Sequence, residues 1–160
     1  MTRPVSLQSP ETFCKLWAHE ISRVFSDRLI NQEDSDWFIE QVMEQLNKNF
    51  KSSLELDELF GESKVMFADL LKLDAPIRLY EEIKDKNKLL KQLNSSLDEY
   101  NFSSSNKMNL VFFEDATQHV LRILRILMQP RGNAMLIGLS GSGKQSLTKF
   151  AASILEHESF

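Results

Sequence analysis

The 160 residues carry 42% apolar and 26% charged side chains, the balance of a soluble globular chain long enough for one domain or pieces of two. A net charge of −4 gives no reason to expect nucleic acid or an acidic membrane surface as a partner. Cys14 is the single cysteine, so an internal disulfide is excluded and a reducing, intracellular setting is expected.

No apolar run reaches the length of a membrane span, and Met1-Thr2-Arg3-Pro4 lacks the apolar core of a signal peptide, so no membrane partner is expected. The first helix opens at Ser9-Pro10-Glu11, with serine as N-cap, proline in the first turn and an acid beside the positive helix end. Phe13, Leu16, Trp17, Ile21, Val24, Phe25 and Leu29 recur at helical spacing and form its expected apolar face. Lys15, Glu20, Ser22 and Ser26 take the polar face, and Cys14 is expected to be buried and inert. After a break at Asn31-Gln32-Glu33, Asp34 or Ser35 can cap a second helix with Phe38, Val42, Met43, Leu46 and Phe50 inward. A short loop joins the two helices, which predicts antiparallel packing.

Lys51 to Ala75 is less regular, and Val65-Met66-Phe67-Ala68 fits either a short strand or a packed loop. A long helix is expected from Tyr80 to about Tyr100, its charged side supported weakly by pairs such as Asp85 and Lys88. Asn101-Phe102-Ser103-Ser104-Ser105-Asn106 is polar and serine-rich and predicts a linker. Beyond it, Ala116 to Met128 is apolar nearly all round and is expected to be a buried helix with Arg122 and Arg125 on its exposed side. Asp115 is expected to cap it. Two apolar runs ending in acids, Val111 to Asp115 and Val65 to Asp69, resemble metal-binding strands, but both precede the loop that such strands follow. His19, His119 and His157 have no paired ligand spacing, so no metal site is expected from them.

The chemistry concentrates near the C-terminus. Met135-Leu136-Ile137 is a continuous apolar run, as in a parallel strand covered on both faces. Gly138-Leu139-Ser140-Gly141-Ser142-Gly143-Lys144 follows, and then the start of a helix. Strand, glycine turn and helix are what a phosphate-binding loop requires: the turn points N–H groups inward, the helix dipole adds to them, and Lys144 reaches the phosphates. Ser or Thr normally follows that lysine and holds Mg²⁺, but here Gln145 does, with Ser146 one later. Gln145 or Ser146 is therefore only a weak Mg²⁺ ligand, and phosphate binding is the firmer expectation. A glycine turn without a ligand is the alternative.

Several blocks, in a fixed order, resemble the dynein heavy chains, of the axonemal kind. Leu16-Trp17-Ala18-His19-Glu20-Ile21-Ser22-Arg23-Val24-Phe25-Ser26-Asp27-Arg28-Leu29 is similar to the helical lid of that family's third AAA+ module. Met108 to Ala116 and Gln129 to Asn133 resemble the lead-in to the fourth module, and Gly138 to Leu147 its phosphate loop, Gln145 included. The resemblance implies a mainly α fold with an incomplete α/β P-loop (AAA+) module at the C-terminal end. It divides the chain into a tail (1–10), a lid of the preceding module (11–100), a linker (101–107) and the N-terminal part of a truncated P-loop module (108–160). It implies a regulatory site for ATP or ADP, with Mg²⁺, formed by Gly138, Leu139, Ser140, Gly141, Ser142, Gly143, Lys144, Gln145 and Ser146, in a ring that drives movement of cilia or flagella. Arg23 aligns with a lid position that senses nucleotide phosphate; pairing with Glu20 or Asp27 is its structural alternative.

The implied partners are the rest of the dynein ring and the dynein complex subunits, with microtubules reached only through parts absent from this sequence. The implied setting is cytoplasm, cytoskeleton and ciliary axoneme. The sequence shows no downstream acid-bearing strand and no arginine finger, so the piece is expected not to be catalytic alone, and its uncovered apolar strand to favour self-association. A helical interaction module and a small independent P-loop NTPase are the competing readings.

Overall fold

Helices account for most of the computed structural model, which describes residues 5–61, 64–71 and 75–156. His157 and the Met1–Pro4 stretch lie outside the described residues. Two compact units part between Lys84 and Asp85.

In the N-terminal unit, α1 spans Pro10–Val24. Ser9 is extended and its Oγ accepts the Thr12 N–H at 3.1 Å, the cap expected from the sequence. The buried stripe, however, runs through Cys14 and Ala18, with Trp17 and Ile21 packed beside it, while Phe13, Val24 and Phe25 are exposed. Small side chains at i and i+4 let neighbouring elements come close, which moves the core stripe off the aromatic residues. Ser22, expected on the polar face, is buried; its hydroxyl donates to the Ala18 carbonyl at 2.7 Å and so is satisfied within the helix.

Helix α2 covers Gln32–Gln45, and Asn31 rather than Asp34 or Ser35 caps it: Asn31 Oδ1 accepts the Asp34 N–H at 2.8 Å. The helix runs into a π-helical turn, Leu46–Phe50, which ends at Lys51 in the left-handed region (φ 49). Cys14, Ala18, Val42, Leu46, Leu54 and Leu59 form one core, and Phe50 covers its edge against the rings of Phe13 and Trp17, 5.7 and 5.4 Å away. Helix α3, Leu56–Phe60, opens on a capping box in which Glu58 accepts the Glu55 N–H at 2.8 Å.

Strands β1 (Phe67–Ala68) and β2 (Glu81–Glu82) pair antiparallel, Phe67 opposite Glu82. Val65–Ala68 is thus part strand, and Met66, Phe67 and Ala68 are all buried. This pairing overrides the helix expected from Tyr80. Tyr80 is buried, donates its hydroxyl to Glu20 at 2.9 Å, bridges to Val5 and lies against the Phe67 ring at 5.8 Å. Tertiary contacts of this kind outweigh the few tenths of a kcal/mol per residue, roughly, that helix propensity offers.

In the C-terminal unit, α4 therefore starts late and spans Lys86–Ser103. Asp85 caps it, accepting the N–H groups of Asn87 and Lys88 at 2.9 and 3.2 Å, so Asp85 meets Lys88 through the backbone and not through a side-chain pair. Asn101, Phe102 and Ser103, from the serine-rich stretch, complete the helix. The Asn101 amide then grips Met108 in both directions, donating to its carbonyl at 2.8 Å and accepting its N–H at 2.7 Å. Helix α5 spans Glu114–Leu127 and buries Ala116, Thr117, Val120, Leu121, Ile123 and Leu124. Its N-cap is Phe113, with no side-chain bond; Asp115 sits in the first turn, where its charge favours the helix dipole, instead of capping. Arg122 and Arg125 are half-buried rather than exposed. Helix α6, Lys144–Ile154, packs on α5 and α4, its fully buried Phe150 ring 5.2 Å from that of Phe112.

Candidate phosphate-binding loop

Helix α6 begins where the sequence places it, and its N-cap, Gly143, has φ 77. Gly141 has φ 79. Both lie in the left-handed region, where a Cβ is strained, so these two glycines let the chain reverse onto the helix end. No side chain caps the helix, and its first-turn N–H groups face the loop. Phe150, seated in the core two turns further along, fixes the direction of the helix axis.

Lys144 folds back across the turn. Its Nζ donates to the carbonyls of Gly138 and Leu139 at 2.7 and 2.5 Å and to Ser142 Oγ at 3.0 Å. A Cβ on Gly138 would lie 3.2 Å from Ser142 Oγ and 3.5 Å from Lys144 Nζ, so the first glycine keeps room for the ammonium. Gly138, Leu139, Ser140, Gly141, Ser142, Gly143 and Lys144 thus form one closed curl on the end of α6. Ser142, expected to act through its backbone N–H only, adds its hydroxyl as a partner of the lysine two residues on. Gln145 is exposed and Ser146 half-buried on the first turn of α6.

The apolar run before the loop differs from expectation. Met135, Leu136 and Ile137 form no strand among the described residues, and Met135, Ile137 and Leu139 are 84–85% exposed. A parallel strand buried on both faces needs neighbours on either edge, and none is present among the described residues. Arg23 belongs to the other unit. Its Nη2 bonds Asp27 Oδ1 at 3.0 Å, one turn on. Among the described residues, no group of three or more His, Cys, Asp or Glu is placed to hold a metal ion, and no helix is long and apolar enough to cross a membrane.

A lysine folded across a glycine curl at an open helix N-terminus has the form of a P-loop. In agreement, residues 108–160 match a family described as the P-loop containing dynein motor region D4. Over nearly the whole chain, the sequence is 41% identical to human dynein axonemal heavy chain 6 across 153 residues, 94% of this chain. It is 39% identical to mouse dynein axonemal heavy chain 12 across 97% of its length and 35% identical to rat dynein axonemal heavy chain 1 across all of it. The chain belongs to the axonemal dynein heavy chain family, which places it with the cytoskeleton of the ciliary axoneme. It spans only 4–5% of the length of these relatives.

Proposed function

We propose that the chain contributes a regulatory ATP-binding phosphate loop to a dynein motor ring in the microtubule-based movement of cilia or flagella. The observation that carries this reading is the closed curl of Gly138–Lys144 on α6. Its donor set suits a polyphosphate: N–H groups from Ser140 to Lys144, the helix dipole and one ammonium, with no side-chain acid in the curl. An incoming phosphate competes for Lys144 with the loop's own carbonyls, so the ammonium moves by a short swing and exchanges neutral partners for an anion. Bound Mg²⁺ would neutralise phosphate charge; the amide of Gln145 and the hydroxyl of Ser146 are the oxygens near the head of α6 that could hold it, both neutral and so weak ligands.

Residues 11–100 serve in this proposal as the lid of the preceding module, 101–107 as linker, and 108–160 as the N-terminal part of an incomplete P-loop module, with the rest of the ring and the dynein complex subunits as partners. Arg23 acts as a lid sensor of nucleotide phosphate, exchanging Asp27 for the anion. The test is a fluorescent-nucleotide titration. A dissociation constant on the order of 1 mM, about −4 kcal/mol, is expected for ATP or ADP. Lys144→Ala should weaken binding about tenfold or more, and Gln145→Ala less. Tight, Mg²⁺-dependent binding that survives Lys144→Ala would remove the loop from this role.

A further inference from the structure

The N-terminal unit holds a cavity of about 330 Å³. Its wall is formed by the C-terminal half of α1 (His19, Ser22, Arg23), by Ser26, by the first turn of α2 (Gln32, Ser35) and by Lys64. Leu59, Phe60 and Ile39 close the apolar side. The volume is at the small end of ligand pockets, roughly 300–1,000 Å³.

The charge of the wall is one-sided. It contains two cations and a histidine and no aspartate or glutamate. Asp27 offsets Arg23 from outside the lining, and Lys64 makes no ion pair among the described residues. The N-terminal end of α2, a helix of 14 residues, contributes Gln32 and Ser35 to the same space and adds a positive dipole end. The acids of that first turn, Glu33 and Asp34, are exposed and outside the lining. His19 donates through Nδ1 to the Val65 carbonyl at 3.1 Å, which fixes the ring at the edge of the cavity. Apolar walls lower the local dielectric and strengthen the attraction of these groups for an anion.

We propose that this cavity binds a small phosphate-bearing anion between Arg23, Lys64 and the first turn of α2. The inference rests on the reading of Arg23 as a phosphate sensor and adds Lys64 and the first turn of α2 to the site where that phosphate sits. The probe is inorganic pyrophosphate, titrated calorimetrically into the full chain carrying Lys144→Ala, which weakens the loop's contribution. Saturable one-site binding is expected, together with a shift of the His19 ring resonances. Lys64 is exposed and outside the core, so Lys64→Glu should fold as the parent does, which circular dichroism checks, and should weaken pyrophosphate at least tenfold; Lys64→Gln should weaken it less. Absence of saturable binding by the Lys144→Ala chain overturns the proposal while leaving the phosphate loop intact. Equal affinity in the parent and Lys64→Glu overturns it as well.

Discussion

The two units spend their apolar residues differently. In the N-terminal unit a core cluster joins α1, α2, α3 and the loop at Leu54, and residues distant in sequence add contacts through Tyr80, Glu20 and His19. In the C-terminal unit the helices are just as well buried, yet Met135, Ile137 and Leu139 stand open beside the phosphate loop. Helices meet most of their backbone needs locally and require only one covered face. A strand beside a phosphate loop satisfies neither its backbone nor its two faces without neighbours from elsewhere.

The largest expected effect tests whether the loop is supported from its core. Phe150 of α6 is fully buried and its ring is tilted against that of Phe112. Phe150→Ala should cost about 3–5 kcal/mol, read as faster amide exchange in α5 and α6. The matched change in the N-terminal unit is Leu46→Ala, worth about 2–5 kcal/mol and read by the fluorescence of Trp17 and Trp37, both of which lie in that unit. A loss below about 1 kcal/mol for Phe150→Ala would mean that α6 is held by something other than this packing.

Much of this was legible in the sequence where the signal is local. Ser9-Pro10-Glu11 marks the first helix, the apolar period of Val120, Leu121 and Leu124 marks α5, and the glycine spacing marks the turn at Gly141 and Gly143. What escaped depends on distant partners. Tyr80-Glu81-Glu82 reads as helix until Phe67 and Ala68 pair with it. Ser22 reads as polar surface until the Ala18 carbonyl accepts its hydroxyl inside the core. Other misses were local signals outranked by stronger-looking neighbours: Asn31 stands beside two acids, and Glu55-x-x-Glu58 is a capping box without the usual Ser or Thr. The glycine turn was readable as a pattern, but the hydrogen bonds of Lys144 to Gly138, Leu139 and Ser142 were not, because they depend on side-chain geometry.

The open apolar run sets the next prediction. Burying one such side chain is worth about 1.5–3 kcal/mol, so contact between copies through Met135, Ile137 and Leu139 is favoured. The chain should self-associate and bind a hydrophobic dye, and Ile137→Lys should reduce both by light scattering and dye fluorescence. An unchanged signal would place the sticky surface elsewhere, for example at Phe13 and Phe25, also exposed.

A smaller effect lies inside α5. Thr117 is 5% exposed, and its Oγ1 is buried without a hydrogen-bond partner among the described residues. Thr117→Val has nearly the same shape and removes the stranded hydroxyl, so it should stabilise the C-terminal unit by about 1 kcal/mol in denaturant unfolding. Destabilisation would show that the hydroxyl is satisfied in solution, by water for instance.

The smallest effect belongs to the N-terminal unit, where Lys15 bonds Glu11 one turn back on α1 at 2.8 Å and reaches Glu82 of β2 at 3.5 Å. The hydrogen bond and charge of Lys15 hold the Glu11 carboxyl below its ordinary value of 4.5. The hydrogen bond that Lys15 donates to Glu11 raises the ammonium above its ordinary 10.5 against the opposing effect of burial, with the charge of Glu82 adding to the rise. A depressed carboxyl stabilises the fold above its unfolded pKa, and that contribution is lost as pH falls through the folded value. A raised ammonium stabilises below its unfolded pKa and is lost as pH rises through the folded value. The pair therefore contributes in full between those limits and declines on both sides. Lys15→Met keeps the apolar stem and removes the charge. The difference in melting temperature between parent and Lys15→Met should be largest near neutral pH and should shrink both below about pH 4 and above about pH 10.5. A difference that is the same at pH 3 as at pH 7 would mean that Lys15 acts through its stem alone, and that charge has no part in joining α1 to β2.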